Sequence, residues 1–340
     1  MLYNLHLLRV IAALGVVYFH TTSQAGLGLD WDVGSRGVDV FFVISGFIIA
    51  YIGTTKPDHF LLRRVIRVVP FYWAATLALF ALVSVAPHLF RTTQADVTHL
   101  AYSLAFLPHE GPDGSMWPTL VLGWSLEYEM FFYLVFAMAL RISQRYSPMI
   151  TTGWIVGFVL AITLFAGGHP ITSFYARPIV LEFCMGIAAF YVFTWCDARA
   201  PRLRAFAAGA WILGAVAIAS LVAIAVLEQL YRDSISRVVI AGLPSFALVT
   251  AVLLLERVYG VLTRSKAIFV LGEASYIIYL VHPYIVYAVL RVVVPDAASL
   301  SSPVLALIIV GLLGFVSAIS VAVHLVFEKP VMAYLRARLI

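Results

Sequence analysis

Long apolar runs recur along the whole chain and are separated by short polar stretches. Each run has the length that an α-helix needs to cross a bilayer core about 30 Å thick. We predict ten such spans, at residues 5–22, 37–53, 65–87, 119–140, 149–167, 178–196, 206–228, 237–257, 269–294 and 303–326. The pattern therefore predicts an all-α, polytopic membrane protein in which about ten transmembrane helices form one bundle, with residues 1–340 as a single domain.

The composition excludes a soluble globular protein. Hydrophobic residues make up 63% of the chain and charged residues only 11%, which is less than half the usual charged share. The formal net charge of +5 requires no nucleic-acid partner, because the placement of basic residues relative to the membrane accounts for it. The two cysteines, Cys184 and Cys196, fall in one apolar span and are interpreted as small buried hydrophobic residues.

Basic residues are distributed unevenly between the two sides of the predicted bundle. If the N-terminus is placed in the cytoplasm, 16 of the 22 Lys and Arg residues lie on the cytoplasmic side and six on the opposite side. Cytoplasmic loops of membrane proteins carry such an excess of Lys and Arg. We therefore predict that both termini are cytoplasmic and that the bundle is surrounded by membrane lipids.

The first span carries two ionisable side chains, Arg9 near one end and His20 near the other. They are eleven positions apart, close to three helical turns, so both project from one stripe of the helix about 16 Å apart along its axis. Charged or titratable groups inside a membrane are costly and mark functional sites by default. We therefore predict that Arg9 and His20 face the interior of the protein and share a function.

The second span opens with GVDVFFVISGF, in which Asp39, Val43 and Gly46 share one helical face. Gly46 leaves room either for a ligand or for a closely packed helix. Asp39 is a candidate site carboxylate. The alternative is an acidic residue near the start of a helix that complements the helix dipole.

Arg63, Arg64 and Arg67 cluster at the start of the third span, in FLLRRVIRVVPFYW. Guanidinium groups match phosphate oxygens in geometry and charge, and exposed N–H groups at a helix start also favour anions. The cluster predicts a site for a phosphorylated cytoplasmic ligand. The alternative is a group of arginines that sets topology or binds lipid headgroups.

Two carboxylates open the fourth span, in GWSLEYEMFFY. Glu127 and Glu129 are about 200° apart around a helix, so at most one of them faces a given site. Glu129 shares a face with Ser125 and is the stronger candidate, unless it is a structural partner of an interior arginine. Glu182 is a further acid inside a span, and the sequence assigns it no partner.

A late segment, LGEASYIIYLVHPY, places Ser275, Tyr279 and His282 on one helical stripe, with Pro283 able to kink the helix. His282 is either a second site histidine or a hydrogen-bonded interior one. No metal site is predicted, because the nine histidines include no closely spaced pair on one face and the cysteine spacing does not fit zinc.

Six segments, taken in order across residues 2–330, resemble acyltransferase family 3, the membrane-bound O-acyltransferases that modify exopolysaccharides, O-antigens and nodulation factors. The segments are the Arg9-x10-His20 opening, GVDVFFVISGF, FLLRRVIRVVPFY, WSLEYEMFFY, LGEASYIIYLVHP and FEKP. One departure is His6, where many members carry an acidic residue.

The resemblance implies transfer of an acyl group, usually acetyl, from cytoplasmic acyl-CoA to a sugar hydroxyl, in a bacterial inner membrane. It implies a glycan or lipid-linked glycan as acceptor, acyl-CoA as co-substrate and no tightly bound cofactor; the oligomeric state stays unassigned. In the family the Arg-x10-His pair is required, and the Arg64-x-x-Arg67 motif is implicated with it. The competing hypotheses are a transporter or glycan flippase, whose usual internal symmetry is not visible here, and a non-catalytic sensor or scaffold.

Residues and resemblance together give a hypothesis for the site. His20 acts as the general base, Arg9 assists it, and Asp39 or Glu129 orients the imidazole. The CoA phosphates bind to Arg63, Arg64 and Arg67. The remaining candidates, assigned to substrate binding, are Ser125, Tyr279 and His282.

Overall fold

The computed structural model describes residues 2–26, 32–90, 93–111, 114–165, 169–231, 233–295 and 297–340. Every regular element in these ranges is helical. The α-helices are α1 (Tyr3–Gln24), α2 (Gly37–Thr55), α3 (Phe60–Val85), α4 (Val97–Leu104), α5 (Gly123–Ile142), α6 (Ser147–Phe165), α7 (Pro170–Tyr175), α8 (Leu181–Asp197), α9 (Ala200–Arg204), α10 (Gly209–Tyr231), α11 (Leu243–Tyr259), α12 (Lys266–Glu273), α13 (Ser275–Ala288), α14 (Ser302–Val323) and α15 (Lys329–Leu339). Single π-helical turns, Val238–Gly242, Val289–Val293 and His324–Glu328, extend or connect several of them.

The prediction of an all-α polytopic membrane protein is confirmed. Within the described ranges, nine helical segments are long and apolar enough to cross a membrane. The predicted span at 119–140 corresponds to α5, which has 20 residues but is not among the nine; it carries Glu127, Glu129 and Arg141. The predicted span at 269–294 is interrupted by a turn at Ala274, between α12 and α13. The cytoplasmic position of the termini stays a prediction.

The chain divides into two compact units. The first comprises Met1–Ile48 with Glu182–Phe327, and the second comprises Ile49–Leu181 with Glu328–Ile340. Each unit therefore combines segments that are distant in sequence. The prediction that residues 1–340 form a single domain stays a prediction.

In the first unit, α1 packs against α11, α12, α13 and α14. The N-terminal end of α1 is held by Glu256, which lies near the end of α11. The Glu256 carboxylate accepts hydrogen bonds from the backbone N–H groups of Tyr3 at 2.8 Å and Asn4 at 2.7 Å. These N–H groups have no partner within the helix itself, and a carboxylate there also complements the helix dipole. The contact fixes the position of the helix that carries Arg9 and His20.

Helices α2 and α8 of the first unit cross at two glycines. A Cβ atom added to Gly46 would lie 2.9 Å from the Cα atom of Gly186, and one added to Gly186 would lie 2.7 Å from the Cα atom of Gly46. Both approaches are to backbone, which cannot move aside as a side chain can. Of the two uses predicted for Gly46, the structure shows the closely packed helix.

This crossing predicts a loss of stability in a Gly186→Val variant. The added side chain would force α2 and α8 apart, and overpacking of this kind costs about 1–3 kcal/mol. We expect a lower midpoint in thermal unfolding of the detergent-solubilised protein. The matched control is Gly153→Val in α6, where an added Cβ atom meets nothing within 4 Å; equal losses in the two variants would contradict the prediction.

The second unit is built on an aromatic core around α3 and α5. The Tyr72 ring of α3 is fully buried, and its hydroxyl donates to the carbonyl of Ser103 in α4 at 3.2 Å. Phe132 and Phe136 of α5 are also fully buried, and the Phe136 ring packs on Phe60 at the start of α3, with centroids 5.2 Å apart. This packing holds the first turns of α3, where the arginine cluster lies, against α5.

Candidate functional site

The first unit brings α1 alongside α13, and both predicted residues of α1 meet side chains of α13. The Nε atom of Arg9 donates to the Oγ atom of Ser275 at 3.0 Å. The ring centroid of His20 lies 5.1 Å from that of His282. Arg9 and His20 are therefore on one side of the helix, as their spacing predicts, and that side faces protein.

The order of these contacts fixes the relative direction of the two helices. Arg9 precedes His20 on α1, and their respective partners Ser275 and His282 follow in the same order on α13. The two helices therefore run parallel. In the predicted topology they are the first and ninth spans, which also point in the same direction.

His282 is fully buried at 0% exposure, whereas His20 is half-buried. The Nδ1 atom of His282 lies 3.0 Å from the carbonyl oxygen of Ile278, one turn earlier in α13. The ring of Phe19 borders His20, with centroids 5.0 Å apart. The more exposed of the two imidazoles is thus the one predicted to react, and the buried one lies behind it.

Tyr279 lies on the same stripe of α13 as Ser275 and His282, as predicted. Its side chain is buried, and its ring centroid is 6.1 Å from that of His282. The pair is one helical turn apart, so the contact follows directly from the spacing. Tyr279 therefore belongs to the surroundings of the histidine pair.

Asp39 is fully buried in the first turn of α2 and is paired with Arg237. Its two carboxylate oxygens accept from the Nε and Nη2 atoms of Arg237 at 2.8 and 2.7 Å, the bidentate geometry that is strongest for this pair. The structure thus gives Asp39 an arginine partner. Its predicted role in orienting His20 stays a prediction and is not supported by this pairing.

Further ionic groups surround Asp39. Glu182 is fully buried, and Asp39, Arg36 and Arg237 all act on it electrostatically. Arg36 also forms a bidentate pair with Glu228, in which its Nε atom lies 2.6 Å from Oε2. Sequence reasoning assigned no partner to Glu182 and did not select Arg36, Glu228 or Arg237. All four residues fall at the ends of predicted spans, on the side of the membrane predicted to be opposite the cytoplasm. This shared position was the feature of the sequence that could have grouped them.

The second unit places Arg64, Arg67 and Glu129 around Tyr133 of α5. The Tyr133 hydroxyl donates to the Glu129 carboxylate, and both Glu129 and Tyr133 act electrostatically on Arg64, as does Arg67. Arg63, by contrast, is exposed, whereas Arg64 and Arg67 are half-buried. Glu129 thus lies where it acts electrostatically on Arg64, and both of its predicted uses, as a site carboxylate and as the partner of an interior arginine, stay predictions. Tyr133 was missed by sequence reasoning, although it lies one turn after Glu129.

Ser125 and Glu127 occupy the first turns of α5. Ser125 is buried and its hydroxyl donates to the carbonyl of Leu122 at 3.2 Å, an ordinary local bond for serine near a helix start. Glu127 is 1% exposed, whereas Glu129 is half-buried, so burial is greater at the carboxylate that sequence reasoning ranked second.

In the described ranges, no group of three or more His, Cys, Asp or Glu residues is arranged to hold a metal ion.

Comparison with known proteins gives a consistent result. The chain matches a family model described as an acyltransferase domain over residues 2–325. It is 32% identical over 336 residues to the exopolysaccharide production protein ExoZ of Rhizobium meliloti (strain 1021), which covers 94% of this chain and 96% of that protein. It is 28% identical over 216 residues to Nodulation protein 10 of Rhizobium leguminosarum bv. viciae, which covers 55% of this chain and 59% of that protein. No solved structure matches the chain.

Proposed function

The chain belongs to acyltransferase family 3, and from this premise we propose that it transfers an acetyl group from cytoplasmic acetyl-CoA to a hydroxyl of an exported or cell-surface glycan. As a member of the family it is an integral membrane O-acyltransferase. The observation that supports the chemistry best is the meeting of α1 and α13, where a half-buried imidazole and an arginine face protein inside a membrane-spanning segment. Groups of this kind inside a membrane are expensive and are retained for function.

In the proposed reaction His20 is the general base. Its unprotonated ring nitrogen accepts the proton of the sugar hydroxyl while the hydroxyl oxygen attacks the thioester carbonyl carbon. The carbon–sulfur bond then breaks, and the leaving thiolate of CoA takes the proton from the His20 imidazolium. The products are the sugar ester and CoA thiol, so His20 returns to its starting form. Proton transfer to a positioned base contributes about 10²–10⁴-fold in rate.

The donor is proposed to bind through its phosphates. Arg64 and Arg67 lie in the first turns of α3 with Glu129 and Tyr133 beside them, and Arg63 is exposed next to them. The Arg64 side chain is hydrogen-bonded to Tyr133, which lowers the entropic cost of binding an anion there. This arrangement suits the pyrophosphate and 3′-phosphate of CoA.

Arg9 is proposed to assist at a distance from the reacting atoms. It is about 16 Å from His20 along the helix axis, and its Nε atom is held by Ser275. A guanidinium fixed at this depth can hold the polar arm of the donor but cannot contact the thioester carbon at His20. Arg9 therefore acts in binding and alignment.

The acceptor is proposed to be a glycan because one relative is described as an exopolysaccharide production protein. Ser125 and Tyr279 keep their predicted roles in substrate binding. The proposed location is the bacterial inner membrane, where cytoplasmic acetyl-CoA and a glycan being exported are accessible from opposite faces.

Release of CoA thiol tests this proposal against a transporter. The purified protein in proteoliposomes is supplied with radiolabelled acetyl-CoA and with deacetylated exopolysaccharide oligosaccharides from cells that lack the protein. We expect thiol release that depends on the oligosaccharide and equals the label recovered in it as ester. Movement of the oligosaccharide across the bilayer without thiol release would favour the transporter or flippase and overturn the proposal.

A covalent route is the variant to separate from the general-base route. In it His20 itself is acetylated and passes the group to the sugar. A single turnover without acceptor, quenched rapidly, should leave no label on the protein if His20 acts as a base. Label that is trapped on the wild-type protein and absent from His20→Ala would instead assign the covalent route.

A further inference from the structure

The tautomer of His282 follows from its surroundings. Its Nδ1 atom lies 3.0 Å from the carbonyl oxygen of Ile278, and the side chain also lies against the carbonyl of Tyr279. The latter carbonyl lacks its usual helical donor because Pro283, four residues later, has no N–H. Carbonyl oxygens only accept hydrogen bonds, so Nδ1 carries the proton and Nε2 of the neutral ring is an acceptor.

That acceptor is unused among the residues that the structure describes. The Nε2 atom of His282 is buried and has no hydrogen-bond partner, and a buried acceptor without a donor costs stability. The imidazole of His20 on α1 lies next to that of His282, at a centroid separation of 5.1 Å and an interplanar angle of 42°. Ring nitrogens lie on the perimeter of each imidazole, so the two rings are close enough for a hydrogen bond between a His20 nitrogen and Nε2 once the half-buried His20 side chain turns that nitrogen toward it.

We propose that His282 is the positioning residue of His20: its Nε2 atom accepts the N–H of His20 and thereby leaves the other His20 nitrogen unprotonated for the acceptor hydroxyl. This inference rests on the proposed function, in which His20 is the base. When His20 takes the proton of the sugar, its N–H remains hydrogen-bonded to Nε2, which stabilises the imidazolium. His282 stays neutral throughout.

The arrangement places an imidazole where a Ser-His-Asp triad uses a carboxylate to fix the tautomer of its histidine. Asp39, a carboxylate of the same unit, has both oxygens bonded to Arg237. His282 is held by α13 itself, through the carbonyl one turn earlier. A neutral acceptor also avoids the desolvation cost of burying a second charge beside the base.

Two variants separate an acceptor role from a packing role. In His282→Gln the side-chain carbonyl oxygen can take the place of Nε2, whereas His282→Leu fills space without any acceptor. We expect the Leu variant to lose about 10–100-fold in kcat, by analogy with removal of a partner that orients a metal-bound histidine. We expect the Gln variant to recover most of that loss, and equal losses in the two folded variants would overturn the proposal.

The tautomer of His20 is measured without reference to activity. In the wild-type protein labelled with ¹⁵N-histidine, the His20 signals are identified by their absence from His20→Ala. We expect one fixed His20 tautomer, with a nitrogen–nitrogen coupling to His282 across the hydrogen bond, and mixed tautomers in His282→Leu. A wild-type protein without this coupling would overturn the proposal, and this result does not depend on whether the Leu variant folds. A His20 tautomer that is unchanged in a folded His282→Leu variant would overturn it as well.

The two measurements also distinguish failure of this inference from failure of the proposed function. If His20→Ala remains active while the coupling is present, the general-base assignment is wrong and the hydrogen bond is structural, which also overturns the positioning role. If His20→Ala is inactive and the coupling is absent, the general base stands and the positioning role alone fails. Both results are read on the full-length protein in detergent or proteoliposomes.

Discussion

Replacing His20 with alanine is expected to lower oligosaccharide-dependent acetyl transfer by about 10²–10⁴-fold, the contribution of a positioned base to a proton transfer. The loss should appear in kcat, because the proton moves only in the transition state. The apparent KM for acetyl-CoA should change little, since the donor phosphates are proposed to bind elsewhere. The measurement is release of CoA thiol by the purified variant in proteoliposomes.

His169→Ala is the matched control for this variant. His169 is an exposed histidine in the second unit, and its replacement removes an imidazole that belongs to neither α1 nor α13. Both variants should insert and fold, and His20→Ala should lose no more stability than the proposed hydrogen bond to His282 contributes, about 0.5–1.5 kcal/mol. A His20→Ala protein that kept more than a small fraction of its transfer rate would exclude His20 as the base.

Replacing Arg64 with alanine is expected to raise the apparent KM for acetyl-CoA by about 10–100-fold, because hydrogen bonds to charged groups contribute about 1.5–3 kcal/mol each. The kcat value should be nearly unchanged, since the guanidinium is proposed to grip phosphate and not the reacting carbon. Steady-state rates over a range of acetyl-CoA concentrations measure both quantities.

Acetyl-pantetheine, which carries the thioester but no CoA phosphates, sharpens the test of Arg64. If the guanidinium acts on phosphate, wild type and Arg64→Ala should use this short donor equally well. Arg336→Ala serves as a control, because Arg336 is an exposed arginine of α15 and has no role in the proposed donor site. An unchanged KM for acetyl-CoA, or an equal defect with acetyl-pantetheine, would remove the phosphate assignment.

Periodicity was sufficient to predict much of this molecule. The apolar runs gave the helices, and the eleven-residue spacing of Arg9 and His20 predicted that both would lie on one protein-facing side of α1. The spacing of Ser275, Tyr279 and His282 gave their common stripe on α13. These are properties of a single helix, which the sequence encodes locally.

Contacts between distant segments were beyond the reach of a single sequence. Arg237 is 198 positions from Asp39, and nothing in the local pattern of either residue identifies the other as its partner. The same holds for Glu256, which caps α1 from 253 positions away. Such pairs form because the fold places whole helices side by side. The sequence alone does not specify which helices are neighbours, so each charged residue has several equally suitable partners.

The contact between Arg9 and Ser275 has a consequence for biogenesis. The two residues are 266 positions apart, so a ribosome must synthesise most of the polypeptide before α1 can meet α13. Until then the nascent α1 holds an arginine and a histidine in the bilayer without their final neighbours, a costly state for ionisable side chains. On the proposed mechanism, acyl transfer becomes possible only late in synthesis, and we expect a nascent chain arrested before α13 emerges to insert in the membrane without transferring an acyl group.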